Sequence, residues 1–323
     1  MEHHPELSVS PPTQLHRAQR TFSLGARFLG RDWTIGWLFT TPLVVILLLL
    51  IAYPIFVGIL LSFQYKLVGS EAHWAGLANY RRLLVGEDHA IFWQSVRVTF
   101  IYTGVAVVSK LLLGLGMALV LNERFPGRNI FRAFFFLPWA APTVVVALTW
   151  RWLYDGTIHG FFNLLLTELF HRNYPVQFLA NPRYALWAVI LVVIWQGTPF
   201  YIMMLLAGLQ AIPAELYEAA AIDGANAWHR FRAVTMPGLR STITVTVLLS
   251  TIWTANSINF IYILTGGGPV NATMTFPMLA YQIGIGGSRQ LGLAAAVSII
   301  FLPAFLPIIY YLSRMMVSTS QES

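Results

Sequence analysis

The chain has 323 residues, of which 57% are apolar and only 10% charged, with no cysteine and a net charge of +7. Soluble domains carry about a quarter charged residues, so this composition excludes a single water-soluble core and points to a bilayer as solvent. The missing cysteines exclude disulfides and thiolate metal sites, and basic residues scattered between apolar runs read as membrane topology rather than a nucleic-acid face.

In chain order, residues 1–34 read as a cytoplasmic N-terminal segment, disordered around SVSPPTQ. Residues 15–33, with four arginines among apolar side chains, read as a stretch on the membrane surface. A secretory signal has an apolar core of about 7–15 residues. The run from Ile35 is longer than that and reads as a retained first span. A spanning helix needs about 20 apolar residues, and six stretches qualify, near 35–62, 97–121, 131–153, 184–208, 241–264 and 291–313. The expected fold is all-α and polytopic, with residues 35–315 as one six-span domain and 316–323 as a cytoplasmic tail. Eleven arginines fall in the two tails and the even-numbered loops, against six basic residues in the other loops. That bias predicts both termini inside.

Few polar residues interrupt the spans. Lys110 lies roughly 18 Å before the helix end near Asn122, too deep for its stem to snorkel. Either it lines a solute path or it ties helices together by hydrogen bonds. Gln196 stands beside Pro199 in span four. In span five, TIWTANSINFIY (251–262) sets Trp253, Asn256 and Asn259 or Phe260 at helical spacing on adjoining parts of one face. Amides suit sugar hydroxyls and aromatic rings suit sugar C–H faces, although asparagines also bond neighbouring helices. Trp33, Trp150 and Trp152 read as interfacial anchors.

No catalytic or metal set emerges, and no cofactor is expected. The histidines are dispersed, and Asp155, Glu168 and His171 form no convincing acid–base group. Neither lysine, Lys66 or Lys110, stands in a phosphate-binding GxxxxGK[ST] context. The loop Thr265-Gly266-Gly267-Gly268-Pro269 lacks a lysine and reads as a flexible outer loop.

One segment between spans four and five is too charged to cross the membrane: EAAAIDGANAWHRFRAVTMPG (218–238). Pro213 suits a first helical turn, with Glu215 and Glu218 near its positive end. Gly224 ends that helix. Asn226 caps a second helix through Trp228, Arg230 and Phe231, and Pro237 is expected to stop it. Ala219, Ala220, Ala221, Gly224 and Ala225 leave little side-chain bulk, with Leu216, Ile222 and Trp228 as apolar anchors. The segment either docks a partner or packs on its own domain.

Glu218-Ala219-Ala220, Asp223-Gly224-Ala225 and Pro237 closely resemble the loop motif of ABC importer permeases, the inner-membrane components of binding-protein-dependent transport systems. Met236 replaces the Leu usual before the Pro. Gly76-Leu77-Ala78-Asn79-Tyr80, Arg124-Phe125-Pro126-Gly127-Arg128 with Phe131-Arg132, Trp195-Gln196-Gly197-Thr198-Pro199-Phe200 and the TGGGP loop resemble the carbohydrate branch, including maltose- and glycerol-phosphate-type subunits. The resemblance implies a type I permease fold in a bacterial-type inner membrane. It also implies that 213–238 is a coupling loop seated in a cleft of a separate ATPase subunit. A second homologous permease and an extracytoplasmic solute-binding protein complete the implied assembly, with a sugar, oligosaccharide or polyol as cargo. Other readings are a phosphorylated polyol such as glycerol phosphate as cargo, a membrane-embedded enzyme acting on lipid-linked sugar, or an accessory anchor for an ATPase.

Overall fold

The computed structural model describes residues 31–171 and 174–321, most of them helical. The expected disordered start and most of the surface-lying stretch fall outside these residues. Contacts divide the chain at Phe56–Val57. The described part of the first unit is α1 (Arg31–Leu47) and a π-helical turn (Leu48–Ala52), which leads into α2 (Tyr53–Ser62). Pro54 accounts for the wide turn. A proline lacks an N–H, and its ring presses on the carbonyl four residues back. Here the Tyr53 N–H reaches the Leu48 carbonyl, five residues back, which opens the turn and gives the ring room.

In the second unit, the end of α2 is fastened by the loop that follows it. Strands β1 (Gln64–Tyr65) and β2 (His73–Trp74) pair antiparallel, and Gly76 turns the chain at a φ of +54°. Asn79, buried at the start of α3 (Ala78–Leu84), donates its amide to the carbonyls of Ser62 and Gln64, both at 2.9 Å. Tyr80 Oη meets Ser62 Oγ at 2.6 Å. A helix end leaves its last carbonyls without partners. Asn79 supplies one to the Ser62 carbonyl, and its second bond fixes the strand that follows.

The long α4 (His89–Asn122) follows. Its exposed end is capped from outside, because Arg132 Nη2 donates to the Leu121 carbonyl at 2.8 Å. The predicted third span proves to be two helices, α5 (Arg128–Ala140) and α6 (Thr143–Leu153), bent by 92°. The cause is Pro142, which cannot donate and holds Ala141 extended at φ −74°, ψ 136°. At about 1.5 Å per residue neither piece crosses a 30 Å core alone. Trp150, expected at an interface, instead packs among Tyr154, Phe162 and Trp195. Helix α7 (Phe161–Phe170) precedes α8 (Ala185–Gln210).

Beyond α8 come α9 (Ala214–Ile222), α10 (Ala227–Arg230), a π turn (Phe231–Thr235) and α11 (Met236–Asn256). Pro237 does not stop the helix as expected. The Met236 N–H reaches the Phe231 carbonyl in the same wide-turn register that precedes Pro54, and the helix runs on unbroken into the span. The break comes later, at Ser257–Ile258, before α12 (Asn259–Leu264). The TGGGP loop is not slack. Gln282 Nε2 donates to the Gly266 carbonyl at 2.8 Å, Thr273 Oγ1 to the Gly268 carbonyl at 2.7 Å, and Gln94 Nε2 to the Asn271 carbonyl at 3.0 Å. Helix α13 (Phe276–Tyr281), a third π turn (Gln282–Gly286) and α14 (Leu291–Gln321) complete the chain.

All six predicted stretches fall on helices. Among the described residues four helices are long and apolar enough to span, or five with the bent pair as one. At 31 residues, α14 is about 46 Å long, enough for a sixth. The bundle is drawn tight by small residues. A Cβ on Gly114 of α4 would land on Tyr201 of α8, and one on Gly208 of α8 would lie 2.9 Å from Leu239 and Thr242 of α11.

Asn79→Ala should lower stability by about 1–3 kcal/mol, because the helix-end carbonyl of Ser62 and the strand carbonyl of Gln64 both lose their donor. Thermal unfolding of the detergent-purified protein should show the loss. The exposed Glu71→Ala should stay within about 0.5 kcal/mol of wild type.

Candidate functional site

Two places gather the residues singled out in the sequence. The first is the turn between α9 and α10. Helix α9 ends in paired reverse bonds: the Gly224 N–H donates to the Ala221 carbonyl at 3.1 Å and the Ala225 N–H to the Ala220 carbonyl at 2.9 Å. This closing motif needs a left-handed residue, and Gly224 supplies it at φ +76°. Asn226 then accepts the His229 N–H at 2.9 Å and starts α10, as its side-chain chemistry predicts.

Among the described residues the turn is held to the bundle at a polar point where Tyr217 Oη meets Thr235 Oγ1 at 3.0 Å. Its remaining surface is bare. Glu218, Ala219, Asp223 and Gly224 are exposed, Ala220 and Ala225 are half-buried, and Pro237 is exposed. The predicted anchors Leu216, Ile222 and Trp228 are 51%, 87% and 64% exposed. A Cβ on Gly224 would meet nothing within 4 Å. Large apolar side chains surrounding a patch of small ones form a surface that another protein can approach at backbone distance.

The second place is a cavity of about 370 Å3 inside the bundle, within the usual size range for small-molecule pockets. Of the predicted solute-path residues, Lys110, Gln196 and Trp253 line it together. Lys110 is buried, and its ammonium donates to Thr254 Oγ1 at 2.8 Å and stands 5.9 Å from the centre of the Tyr201 ring. Gly197 makes room for the stem, since a Cβ there would lie 2.7 Å from Lys110 Cδ. Lys110 thus ties α4 to α11 by a hydrogen bond, and the same side chain also lines the cavity. Gln196 Nε2 donates at 3.2 Å to the carbonyl of Ala141, one residue before the proline that breaks the third span.

Asn256 and Asn259 do not line this cavity. Asn256 folds its amide back to the Ile252 carbonyl at 2.9 Å. The helix breaks before Asn259, so of the residues expected on one face Trp253 and Phe260 meet at the cavity while Asn256 and Asn259 stand off it. Ser257 and Phe260, their neighbours, do line the cavity. The lining also includes Tyr102 and Trp139, which sequence reasoning missed. Tyr102 lies eight residues before Lys110, two turns along the same helical face, so that signal was present. Trp139 reaches the cavity because of the bend at Pro142, a proline that the run-length reading of one continuous third span passes over. A second cavity of about 500 Å3 is lined by residues such as Leu113, Phe134 and Pro199. Its Thr198 hydroxyl is already spent on the Ile194 carbonyl at 2.7 Å, so it offers little to a polar solute.

Residues 110–315 match a family described as the binding-protein-dependent transport system inner membrane component. The chain is 37% identical over 289 residues to the trehalose/maltose transport system permease protein MalF of Thermococcus litoralis, covering 89% of this chain and 96% of the relative. It is 34% identical over 271 residues to the sulfoquinovosyl glycerol transport system permease protein SmoG of Agrobacterium fabrum, covering 83% and 84%. Among solved structures it resembles a chain of a bacterial ABC transporter involved in the import of the acidic polysaccharide alginate. The TM-score is 0.75 at 22% identity over 92% of this chain and 99% of that one, a likeness of fold.

The turn geometry makes a separable expectation. Asn tolerates the left-handed region, so Gly224→Asn should leave hydrogen exchange across 218–225 close to wild type. Gly224→Val should cost about 1–2 kcal/mol locally and speed exchange there, with α8 and α11 unaffected.

Proposed function

Because the chain belongs to the family of binding-protein-dependent transport system inner membrane components, we propose that it is a permease subunit of an ATP-driven importer for a sugar, oligosaccharide or polyol. It is a transport subunit, and ATP is hydrolysed by a separate ATPase subunit. Residues 35–315 are the permease domain, and 213–238 is the coupling loop. A second homologous permease and an extracytoplasmic solute-binding protein complete the assembly. The observation that carries the reading is the exposed turn at Gly224, bare of side chains at its centre and flanked by Leu216, Ile222 and Trp228. With both termini inside, the positive-inside bias puts this turn in the cytoplasm, where ATP is found.

The linkage follows from the helix that leaves the turn. From Ala227 to Asn256 it is continuous through the π turn, and Trp253 and Thr254 near its far end form part of the cavity wall. At about 1.5 Å per residue the two ends are about 40 Å apart. Movement of an ATPase against Trp228 is thereby passed along one rod to the cavity. The cargo class rests on the lining, where hydroxyls and the Gln196 amide meet aromatic rings, and it agrees with the sugar systems for which the relatives are named. Asn256 and Asn259 flank the helix break beside the cavity and stay on the proposed solute path.

The enzyme reading finds no comparable support. The Thr157 backbone N–H, donated to Asp155 at 2.7 Å, holds that carboxyl below its ordinary value. An exposed, ionised carboxylate is a poor proton donor at neutral pH.

Two experiments test this function. Gly224→Trp should cut recovery of the ATPase with the tagged chain at least tenfold while membrane insertion persists, whereas Gly224→Asn should retain it. Wild-type recovery and uptake with Gly224→Trp would remove the coupling assignment. Since the chain has no cysteine, single cysteines report topology without background. Ser70→Cys should react with an impermeant maleimide from outside intact cells, and His229→Cys only after the inner face is opened. The reverse pattern would overturn the orientation.

A further inference from the structure

The importer reading leaves Lys110 underused. The residue is only 4% exposed. Among the described residues no carboxylate lies within ion-pair reach of it, because the ion pairs found there all involve Arg82. The cavity lining contains no Asp or Glu. We propose, resting on the importer reading, that this cavity takes a saccharide bearing an acidic group, a carboxylate or similar oxyanion, with Lys110 as its counterion.

Several observations converge on this assignment. An ammonium has three donors; Thr254 takes one, and the Tyr201 ring faces the charge without accepting a conventional bond. Burying a cation without a counterion is costly. A tie between α4 and α11 does not require that cost, since a neutral amide would also donate to Thr254. A neutral sugar does not require it either. Ser250, Thr254, Ser257 and Gln196 already offer donors and acceptors to hydroxyl groups. The remaining feature that a lysine supplies, and these groups do not, is positive charge facing the open volume. Gly197 opens the slot in which the stem packs, so the charge is held at that wall. Trp253, Phe260 and Tyr102 provide rings for the sugar's C–H faces. A ligand with both an apolar ring face and an oxyanion matches the whole lining.

The test uses the complete purified complex in detergent at constant ionic strength. Thermal unfolding is followed with equal concentrations of D-glucose, D-glucuronate, D-glucuronamide and inorganic phosphate. Glucuronate should stabilise most. Glucuronamide keeps the shape but loses the charge, and it should fall back to the level of glucose. In Lys110→Gln the affinity ratio of glucuronate to glucose should drop about 10- to 100-fold, the range for loss of a hydrogen bond to a charged group. Glucuronamide acting on the wild-type complex makes the same comparison without any variant, so a variant that fails to assemble does not protect the idea. Equal stabilisation by glucose and glucuronate, no response to either, or phosphate matching glucuronate would overturn it. So would a glucuronate preference that survives Lys110→Gln. Co-purification of an ATPase and a solute-binding protein, scored in the same preparation, reports separately on the importer reading. Their presence with no preference for the acid sinks only the acidic-cargo proposal, and their absence sinks both.

Discussion

Close approach between helix backbones is the constraint on which this molecule depends. In a bilayer, apolar side chains gain little by leaving lipid for one another, so helix association relies on tight packing and interhelical hydrogen bonds. Gly114 and Gly208 permit that packing, the first between α4 and Tyr201 of α8, the second between α8 and Leu239 of α11. Gly197 admits a lysine stem instead. With α4, α8 and α11 drawn this close, the Lys110 ammonium reaches Thr254 across two of them. A larger residue at any of these glycines would widen the bundle, part that bond and deform the cavity together.

Prolines provide the second theme, because each one poses a question of hydrogen-bond accounting. Within lipid an unpaired backbone group has no water to turn to. Pro237 follows a wide turn in which the chain bonds five residues back, so the helix stays whole. Pro142 breaks its helix outright, and the carbonyl of Ala141 beside it is met by the Gln196 amide. The bend thus creates both the cavity wall and the reason for a glutamine opposite it. What reads in the sequence as a candidate solute contact is at the same time a structural repair.

How much could be read from the chain differs by kind of signal. Apolar run length located all six helices, because hydropathy acts residue by residue. Capping chemistry is similarly local, and the Gly224 turn with Asn226 after it appears where the sequence puts it. Pro237 reads as a stop in the sequence because a π turn depends on the geometry of the preceding residues and has no composition of its own. Asn256 and Asn259 were grouped by a period that assumes an intact helix, and the break at Ser257–Ile258 removes that assumption. The glycines of the TGGGP loop suggest flexibility. The loop's carbonyls are held by Gln282 at Gly266 and by Thr273 at Gly268, and Gln94, far away in sequence, holds Asn271 just beyond it. Long-range pairing of this kind, like that of Lys110 with Thr254, is invisible to a single sequence.

In the importer reading these parts make one device, since the turn at Gly224 and the cavity share a helix. The hydrogen bond between Tyr217 and Thr235 fastens α9 to that helix. At about 1 kcal/mol net it sets register better than it bears load, so the load falls on the helix itself. The π turn at Phe231–Thr235 lies between the docking surface and the span, where backbone bonding already departs from the regular ladder. That is where a tilt is absorbed most easily. Beyond it the rod is regular up to Thr254, which also holds the cation of α4. A tilt of α11 must carry Thr254 away from Lys110 or drag the lysine with it, and either movement changes what the cavity offers its solute. The ATPase and the cargo would therefore act on opposite ends of the same helix, and the strength of their coupling depends on how firmly Lys110 is held.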